Sequence, residues 1–328
     1  MKPTLFIVIQ TIHTGGAERV AQTLIDSSIL HDQFNVEVVF FVKPQLPLVS
    51  QNITIHCGTF VKSKNIFHKC SNFIGKIQFL RRLIRERNAS VILSIMSTSN
   101  IISIIAAKGI APVVISEHGM RRKTFTHRVA AILSRFLYPK AATIISVSNG
   151  VKRSWSKIVN HPNHIVVYNP IAIQTIREKS RESLRSDVPS NFILAIGRLV
   201  WDKGFDLLIE AFSQLRDKDI HLIILGEGDQ YGYLSKLVET NGLGNRVSIK
   251  PFDTNPYPYY RTCKVVVSSS RNEGLPMVQL EALACHAPII SFNCRSGPSE
   301  ILDGGKFGIL VEPGNVAALA KAIDAFLE

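Results

Sequence analysis

Cysteine is scarce in this 328-residue sequence, and its distribution is informative. The five cysteines are scattered, their number is odd, and no two of them form a Cys-x-x-Cys pair. Small domains that depend on disulfides usually carry an even number of closely spaced cysteines. The cysteine usage therefore indicates reduced thiols, and we expect a cytoplasmic protein.

The sequence also lacks an uninterrupted apolar run. Its longest apolar stretch, residues 91–115, is broken by serine, threonine, asparagine and lysine residues. A membrane-spanning helix needs roughly 18 or more consecutive apolar residues, so this stretch predicts a buried strand, a helix and a second strand. No charged and apolar leader precedes residues 4–9, which are predicted to form a first strand and not a signal peptide.

Acidic residues are few in the first half of the chain. Residues 1–170 contain 21 lysines and arginines against 6 acidic residues, whereas residues 171–328 contain 17 against 19. The basic residues concentrate in residues 62–87 and 119–160. A solvated basic face is one interpretation. The other is a polyanionic partner, either nucleic acid or an anionic membrane surface, at which each basic residue contributes about 1 kcal/mol.

Short apolar runs alternate with helical patterns along the chain. In the first half, strands are predicted near residues 4–10, 35–41, 52–57, 90–95, 112–116, 142–147 and 164–168, and helices near 17–30, 72–87, 124–138 and 149–158. A polar stretch at 169–190 interrupts this pattern before a strand at 192–196 restarts it. Such alternation is typical of parallel sheets covered by helices. We predict an α/β protein with two doubly wound, Rossmann-like domains, residues 1–175 and 176–328, facing a central cleft.

Two glutamates stand eight residues apart in the second half. Glu273 is placed in a strand-to-helix loop and Glu281 on the helix that follows, within the segment Asn272-Glu273-Gly274-Leu275-Pro276-Met277-Val278-Gln279-Leu280-Glu281. The apolar neighbours of Glu281 predict a buried helix. Because a buried carboxylate without a partner is unfavourable, we expect Glu281 to meet a cation, hydrogen-bond donors or a ligand.

Two cations follow the strand at 192–196. Arg198 and Lys203 lie between the strand end and the next helix, where backbone N–H groups also converge. A forked guanidinium and a point charge together suit a diphosphate without a metal ion. The alternative is a surface turn with incidental charges.

Glycines mark two further loops. Gly15 and Gly16 open the helix after the first strand, where the backbone can approach an anion, although paired glycines also serve tight turns. Gly226 and Gly228 belong to a G-x-G-x-x-x-G segment after the strand 221–225. That spacing resembles a dinucleotide loop, but it lies in mid-domain, which favours a turn lining a nucleotide pocket.

One histidine and one pair of aspartates complete the candidates. His118 follows the strand at 112–116, so it is either structural or a ligand contact at a strand end. Asp217-Lys218-Asp219 has the D-x-D form of a metal motif, but it precedes a strand and is interpreted as a solvated loop. We therefore expect no metal site and no cofactor.

Taken together, these motifs resemble the retaining family-four glycosyltransferases of the GT-B fold. The resemblance runs in order along nearly the whole chain, and the segments that carry it are Gly15-Gly16-Ala17-Glu18-Arg19, Ser116-Glu117-His118, Asn169-Pro170, Gly197-Arg198 with Lys203-Gly204, Glu273 with Glu281, and Gly297-Pro298-Ser299-Glu300-Ile301. The C-terminal set is the more specific one.

The resemblance implies roles for these residues. Arg198 and Lys203 would bind the donor diphosphate, Glu281 the ribose, and Glu273 the donor sugar. His118 would touch that sugar, so we assign catalytic roles to Glu273, His118, Arg198 and Lys203. Further donor contacts would come from Gly15, Gly16, Gly226, Gly228, Phe252, Gly274, Leu275, Pro276 and Met277. Transfer would retain the anomeric configuration through front-face attack, which needs charge stabilisation and positioning rather than a nucleophile–base pair.

We therefore expect a metal-independent hexosyltransferase that moves a hexose or N-acetylhexosamine from a UDP-sugar to a lipid-linked or glycan acceptor. Surface polysaccharide, lipopolysaccharide or glycoprotein glycan would be its product, made by a peripheral protein at the inner face of the cytoplasmic membrane. A UDP-sugar epimerase or hydrolase of the same fold is one alternative. A basic nucleic-acid-binding protein is the other, but the basic blocks carry little of the aromatic interleaving that single-strand binders use, so no nucleic acid is expected.

Overall fold

The chain divides into two units, Met1–Pro170 and Ile171–Glu328, each built on one parallel β-sheet. The computed structural model describes residues 2–12, 15–44, 53–61, 65–120, 125–184 and 186–328. The sequence placed the boundary near residue 175, and the contacts within the chain divide it at Pro170.

The first unit contains a seven-stranded sheet. Its strands are β1 (Thr4–Ile9), β2 (Asn35–Phe40), β3 (Thr54–Cys57), β4 (Ala89–Ile95), β5 (Val113–Glu117), β6 (Thr143–Ser146) and β7 (His164–Val166). Its helices are α1 (Gly16–Ile25), α2 (Ser28–Gln33), α3 (Ile66–Glu86), α4 (Ser97–Ala106), α5 (Phe125–Leu137) and α6 (Asn149–Ser156), with a 3-10 turn at Tyr138–Lys140. The strand order is β3-β2-β1-β4-β5-β6-β7, and every pair is parallel.

The second unit repeats this plan with six strands. They are β8 (Phe192–Ile196), β9 (His221–Leu225), β10 (Val247–Lys250), β11 (Val265–Ser268), β12 (Ile289–Phe292) and β13 (Ile309–Val311). The helices are α7 (Ile173–Lys179), α8 (Phe205–Ser213), α9 (Tyr231–Thr240), α10 (Tyr257–Thr262), α11 (Met277–Ala284), α12 (Pro298–Ile301) and α13 (Val316–Leu327), with 3-10 turns at Trp201–Lys203 and Asp303–Gly305. The order is β10-β9-β8-β11-β12-β13, again all parallel.

Burial on both faces explains why the central strands carry apolar runs rather than alternating patterns. Every residue of β8 is buried, and its side chains enter two separate cores: Ile193 and Ala195 join one, Leu194 and Ile196 the other. Helices cover both faces of a sheet in doubly wound folds, so neither face can be polar. The prediction of two doubly wound α/β domains is confirmed.

Several helix boundaries differ from the sequence prediction. Helix α3 begins at Ile66 and not near residue 72, because the Asn65 side chain accepts a hydrogen bond from the Phe67 N–H at 2.9 Å and caps the helix. The single helix predicted at 17–30 is two helices, α1 and α2. Helix α7 lies inside the stretch 169–190 that was predicted to be irregular.

In each sheet the strand order runs outward in one direction from the first strand and later continues in the opposite direction from the same strand. The reversal lies between β1 and β4 in the first unit and between β8 and β11 in the second. At such a switch point the loops leave the carboxyl ends of adjacent strands in opposite directions and open a crevice for a ligand. Among the described residues, no helix combines the length and the apolar character needed to cross a membrane.

Candidate functional site

Lys203 and Glu273 meet beside the switch point of the second unit. Lys203 follows β8 and Glu273 follows β11, two neighbouring strands, and Lys203 Nζ lies 2.6 Å from Glu273 Oε1. Both side chains are largely buried. Ser270 Oγ donates a second hydrogen bond, 2.7 Å long, to the same carboxylate oxygen. The strand order therefore brings Lys203, which is predicted to bind the diphosphate, into direct contact with Glu273, which is predicted to bind the sugar.

The second predicted cation, Arg198, belongs to the same loop but is arranged differently. Its side chain is exposed, and among the described residues its guanidinium makes no ion pair or hydrogen bond. The aliphatic stem of Lys203 lies over Gly197, where an added Cβ would stand 3.4 Å from it. Lys203 is thus held against a carboxylate, whereas the guanidinium of Arg198 is open to solvent.

Glu281 is buried on α11, as the sequence predicted, with 3% of its surface exposed. Its carboxylate accepts a hydrogen bond of 3.0 Å from the hydroxyl of Tyr260, which lies on α10. The requirement for a donor was predictable from burial, but the identity of Tyr260 was not, because no local spacing connects the two residues. On the same helix, Gln279 Nε2 donates to Ser291 Oγ at 2.8 Å.

The loop between Glu273 and α11 is supported from behind. Leu275, Pro276 and Met277 are buried, and Ser296 Oγ donates to the Gly274 carbonyl at 2.7 Å. Gly297 adopts φ +94°, and an added Cβ would lie 2.5 Å from the Pro276 ring. Only glycine therefore allows this close approach, and the loop is held in one conformation.

Gly226 and Gly228 have a packing role in this structure. A Cβ on Gly226 would stand 1.9 Å from the Gly197 carbonyl oxygen, and one on Gly228 would stand 2.3 Å from that of Leu199. The Leu199 N–H also donates to the Glu227 carbonyl at 2.8 Å. Backbone packing between the loops after β8 and β9 accounts for the glycine spacing, and base contact by these glycines stays a prediction.

A pocket of about 400 Å³ opens at the carboxyl end of β10. It is lined by Asp187, Lys250, Pro251, Phe252, Asp253, Thr254 and Tyr259. Lys250 Nζ forms an ion pair of 2.8 Å with Asp187, and the Lys250 carbonyl accepts from the Gly226 N–H at 2.9 Å. The turn predicted to line a nucleotide pocket therefore lies next to this pocket, and Phe252, a predicted donor contact, lies in the pocket wall.

In the first unit, His118 directly follows β5. Its Nε2 lies 3.0 Å from Ser116 Oγ, whereas its buried Nδ1 meets no hydrogen-bond partner among the described residues. Burial lowers the pKa of His118 to about 4, so the imidazole is neutral at pH 7. Gly15 caps α1 and Gly16 is its first residue, as predicted. The roles assigned to His118, Gly15 and Gly16 stay predictions.

Glu117, which precedes His118, was not singled out from the sequence as a site of its own. Its carboxylate is fully buried and accepts hydrogen bonds from Ser97 Oγ at 2.9 Å, from Asn100 Nδ2 at 3.0 Å and from the Tyr138 hydroxyl. Burial outweighs these donors and raises the pKa of Glu117 to about 7. A glutamate ending a buried strand was the available signal.

No group of three or more His, Cys, Asp or Glu side chains in the described parts of the chain could hold a metal ion. The D-x-D segment is a local turn, since Asp217 Oδ1 accepts from the Asp219 N–H at 2.8 Å and from the Ile220 N–H at 3.2 Å. The interpretation of this segment as a loop is confirmed.

Comparison with protein families gives the class of this chain. The family described as Glycosyltransferase Family 4 matches residues 14–175, and the family described as Glycosyl transferases group 1 matches residues 176–328. The chain belongs to the family-4 glycosyltransferases of the GT-B fold and is a glycosyltransferase. The resemblance of the sequence to family-four glycosyltransferases of the GT-B fold is confirmed, and retention of configuration stays a prediction.

Two curated relatives from Campylobacter jejuni match over most of their length. One, the N-acetylgalactosamine-N,N'-diacetylbacillosaminyl-diphospho-undecaprenol 4-alpha-N-acetylgalactosaminyltransferase, is 29% identical over 340 residues, covering 99% of this chain and 90% of the relative. The other, the GalNAc-alpha-(1->4)-GalNAc-alpha-(1->3)-diNAcBac-PP-undecaprenol alpha-1,4-N-acetyl-D-galactosaminyltransferase, is 26% identical and covers 98% of this chain and 88% of itself.

Among solved structures, Anabaena HepE in complex with UDP and glucose superimposes with a TM-score of 0.81. It is 21% identical, and the match covers 99% of this chain and 90% of HepE. At this level of identity the likeness concerns the fold, and it agrees with the two parallel sheets described above.

Proposed function

We propose that this glycosyltransferase takes its sugar from a UDP-sugar and transfers it, with retention of anomeric configuration and without a metal ion, to a lipid-linked or glycan acceptor. The observation that carries the proposal is the Lys203–Glu273 pair at the switch point of the second unit. The sugar is proposed to be a hexose or an N-acetylhexosamine. The product belongs to cell-surface glycan synthesis.

The donor site follows from how the charges are used. Lys203 and Ser270 both bind Glu273 Oε1, and no described residue donates a hydrogen bond to Oε2. Oε2 of Glu273 can therefore accept a hydrogen bond from a hydroxyl of the donor sugar while Lys203 holds the carboxylate in place. A diphosphate bound next to this pair would share Lys203 and draw in the exposed guanidinium of Arg198.

The same arrangement favours a reaction driven by electrostatics. In the proposed step, the bond from the anomeric carbon to the diphosphate oxygen breaks while the acceptor oxygen bonds to the same face of that carbon. The acceptor proton passes to the leaving diphosphate. Lys203 and Arg198 neutralise the charge that develops on that group. Glu273, already paired with Lys203, acts by orienting the sugar.

The nucleoside is proposed to lie farther along the same strand ends. The pocket walled by Phe252 has room for a base. Gly226 donates a hydrogen bond to the carbonyl of Lys250 in that pocket, and Gly228 belongs to the same loop as Gly226. Glu281 is proposed to bind the ribose hydroxyls. Because Tyr260 already donates to this carboxylate, its orientation is set before a ligand arrives.

The acceptor is proposed to be attached to a lipid. Both Campylobacter jejuni relatives are named for undecaprenol-linked substrates. The first unit is strongly basic, and its helices expose apolar side chains at spacings that share a helix face: Phe67 and Ile74 on α3, and Ile132 and Phe136 on α5. Basic helices with an exposed apolar face suit an anionic membrane surface. We place the protein at the cytoplasmic face of the membrane on this basis.

A donor panel tests the donor half of the proposal. UDP, UDP-N-acetylhexosamines, UDP-hexoses and GDP are compared by thermal shift and calorimetry. Lys203→Ala should weaken UDP binding by about 100-fold and Glu281→Ala by about 10-fold, because charge-assisted contacts are lost. Lys321→Ala, an exposed lysine of α13 in the same unit, is the matched control. If both site variants bind UDP as the parent does, the assignment is wrong.

The reaction is tested with the donor that binds best and a lipid-diphosphate saccharide acceptor. Proton NMR of the new linkage reports the anomeric configuration, and an inverted product would refute retention. Activity that disappears with EDTA and returns with Mg²⁺ would refute metal independence. Rapid formation of an epimer without any acceptor would favour the epimerase alternative instead.

Membrane binding is tested by sedimentation with vesicles of anionic and of zwitterionic lipid at low and high salt. We expect binding to the anionic vesicles at low salt that weakens as salt rises. Phe136→Ser should weaken it, whereas Ile29→Ser, at an exposed apolar residue of α2, is the control. Failure of the parent to sediment with anionic vesicles at low salt would remove the membrane part of the proposal.

A further inference from the structure

Arg271 lies two residues before Glu273 and reaches back to the loop that carries Lys203. Its guanidinium forms two parallel hydrogen bonds with Asp206 at the start of α8, Nη1 to Oδ1 at 2.7 Å and Nη2 to Oδ2 at 2.6 Å. Both side chains are mostly shielded from solvent, with 18% and 22% exposed. This fork-to-carboxylate geometry is available to arginine and not to lysine.

The same guanidinium also holds the 3-10 turn Trp201–Lys203. Arg271 Nη1 donates to the Trp201 carbonyl at 2.9 Å, and the guanidinium carbon lies 4.5 Å from the centre of the Trp201 ring. The turn is thus held by a hydrogen bond and by a cation–π contact. Since Lys203 is the last residue of this turn, the position of its backbone depends on Arg271.

Neighbouring backbone contacts join the two loops into one body. The Asp202 carbonyl accepts from the Arg271 N–H at 2.8 Å, and Ser269 Oγ donates to the Lys203 carbonyl at 3.1 Å. Gly204 adopts φ +63°, and an added Cβ would lie 2.1 Å from the Ser269 carbonyl oxygen. The loops after β8 and β11 therefore cannot separate without breaking this set of contacts.

Arg271 itself is engaged by Asp206 and Trp201, whereas Arg198 makes no ion pair or hydrogen bond with any described residue. We propose that Arg271 is a positioning residue of the donor site: through Asp206 and Trp201 it sets Lys203 against Glu273, and so determines the affinity for the diphosphate of the donor. This inference rests on the proposed donor site. A shift of about 1 Å in such a group is enough to reduce function substantially.

The test compares UDP with UMP, which lacks one phosphate. Calorimetry is performed on the parent, Arg271→Lys and Asp206→Asn. We expect each variant to bind UDP about 10-fold more weakly while UMP binding changes less than about 2-fold, because only the diphosphate contact is disturbed. Arg246→Lys is the matched control, since Arg246 also lies over an aromatic ring, that of Phe212, at 4.8 Å. It should leave both affinities at the parent value.

The outcomes are separable. Equal loss of UDP and UMP affinity, accompanied by a lower unfolding midpoint, would identify a purely structural ion pair and overturn the inference. Unchanged UDP affinity in both variants would overturn it as well. Asp206→Asn leaves residue 271 as arginine. It can therefore still be compared with the parent if Arg271→Lys folds poorly. If the parent itself does not bind UDP, the proposed donor is wrong. This result concerns the parent protein, so it is distinguishable from a failure of the inference about Arg271, which only the variants report.

Discussion

Replacing Glu117 with glutamine should change how stability depends on pH. Burial raises the pKa of this carboxyl from 4.5 to about 7. The folded state therefore binds the proton more tightly than the unfolded state does. The contribution of the group to stability is complete below pH 4.5 and is lost as the pH rises through about 7.

The magnitude follows from that interval. At about 1.4 kcal/mol per pH unit, the rise from 4.5 to about 7 corresponds to a loss of about 3 kcal/mol in the parent between pH 4.5 and pH 8. Glutamine resembles the protonated acid and does not titrate. The stability of Glu117→Gln relative to the parent should thus increase by about 3 kcal/mol over the same pH range. Other groups cancel in this difference, because both proteins carry them.

The assay must report on the first unit alone. The sequence has two tryptophans, Trp155 in the first unit and Trp201 in the second. In a Trp201→Phe background, Trp155 fluorescence follows urea unfolding of the unit that contains Glu117. Trp155 stacks on Tyr138, with ring centres 5.3 Å apart, so its signal depends on local packing.

Ser97→Ala is the matched control, because it removes one donor to Glu117 and leaves the carboxyl in place. Since the Ser97 hydrogen bond lowers the pKa of Glu117, its loss should keep the pH dependence at least as steep as in the parent. A difference in stability between the parent and Glu117→Gln that stays constant from pH 4.5 to pH 8 would contradict the raised pKa of Glu117.

Three further predictions concern local structure, and urea unfolding checks the free energy of each. Gly226→Ala should destabilise the protein by about 3 kcal/mol, because its Cβ would meet a backbone oxygen at 1.9 Å. Gly232→Ala on α9 is the control, since nothing lies within 4 Å of its Cβ, and it should stabilise the protein by about 0.5–1 kcal/mol. Equal effects of the two substitutions would contradict the close approach at Gly226. Met96 adopts φ +75° and ψ 146°, a strained region for a residue with a Cβ, so Met96→Gly should stabilise by about 1 kcal/mol, and a loss of stability would show that the side chain contributes more than the strain. Tyr260→Phe should destabilise by about 1–3 kcal/mol by removing a donor to the buried carboxyl of Glu281, and an unchanged free energy of unfolding would mean that the bond contributes nothing.

Much of the proposed donor site can be predicted from the sequence, because its residues stand where strands end. The sequence predicts that Arg198, Lys203 and Glu273 follow apolar strands, and the structure places each in a loop at a carboxyl strand end. The apolar neighbours of Glu281 predict its burial, and it is buried. The glycine spacing at 226–228 was less informative, since close backbone packing produces the same pattern as a nucleotide loop.

The partners of these residues could not be predicted in the same way. Tyr260, Ser270, Arg271 and Asp206 have no spacing that sets them apart from other polar residues of the chain. Their contacts join different loops and helices, and local periodicity holds no information on which loops are neighbours. The predicted start of α3 was wrong for a related reason, because a single capping side chain, that of Asn65, sets the boundary.

The class of fold follows from apolar periodicity, and the family follows from the resemblance of several short motifs, because both signals are local properties of the chain. The same local signals predict the loops that carry the proposed donor-site residues. Which side chains meet depends instead on the packing of the whole chain. Lys203 and Glu273 stand 70 residues apart in the chain and 2.6 Å apart in space. They are neighbours because β8 pairs with β11, and strand order is set by the packing of whole sheets and helices rather than by any one segment.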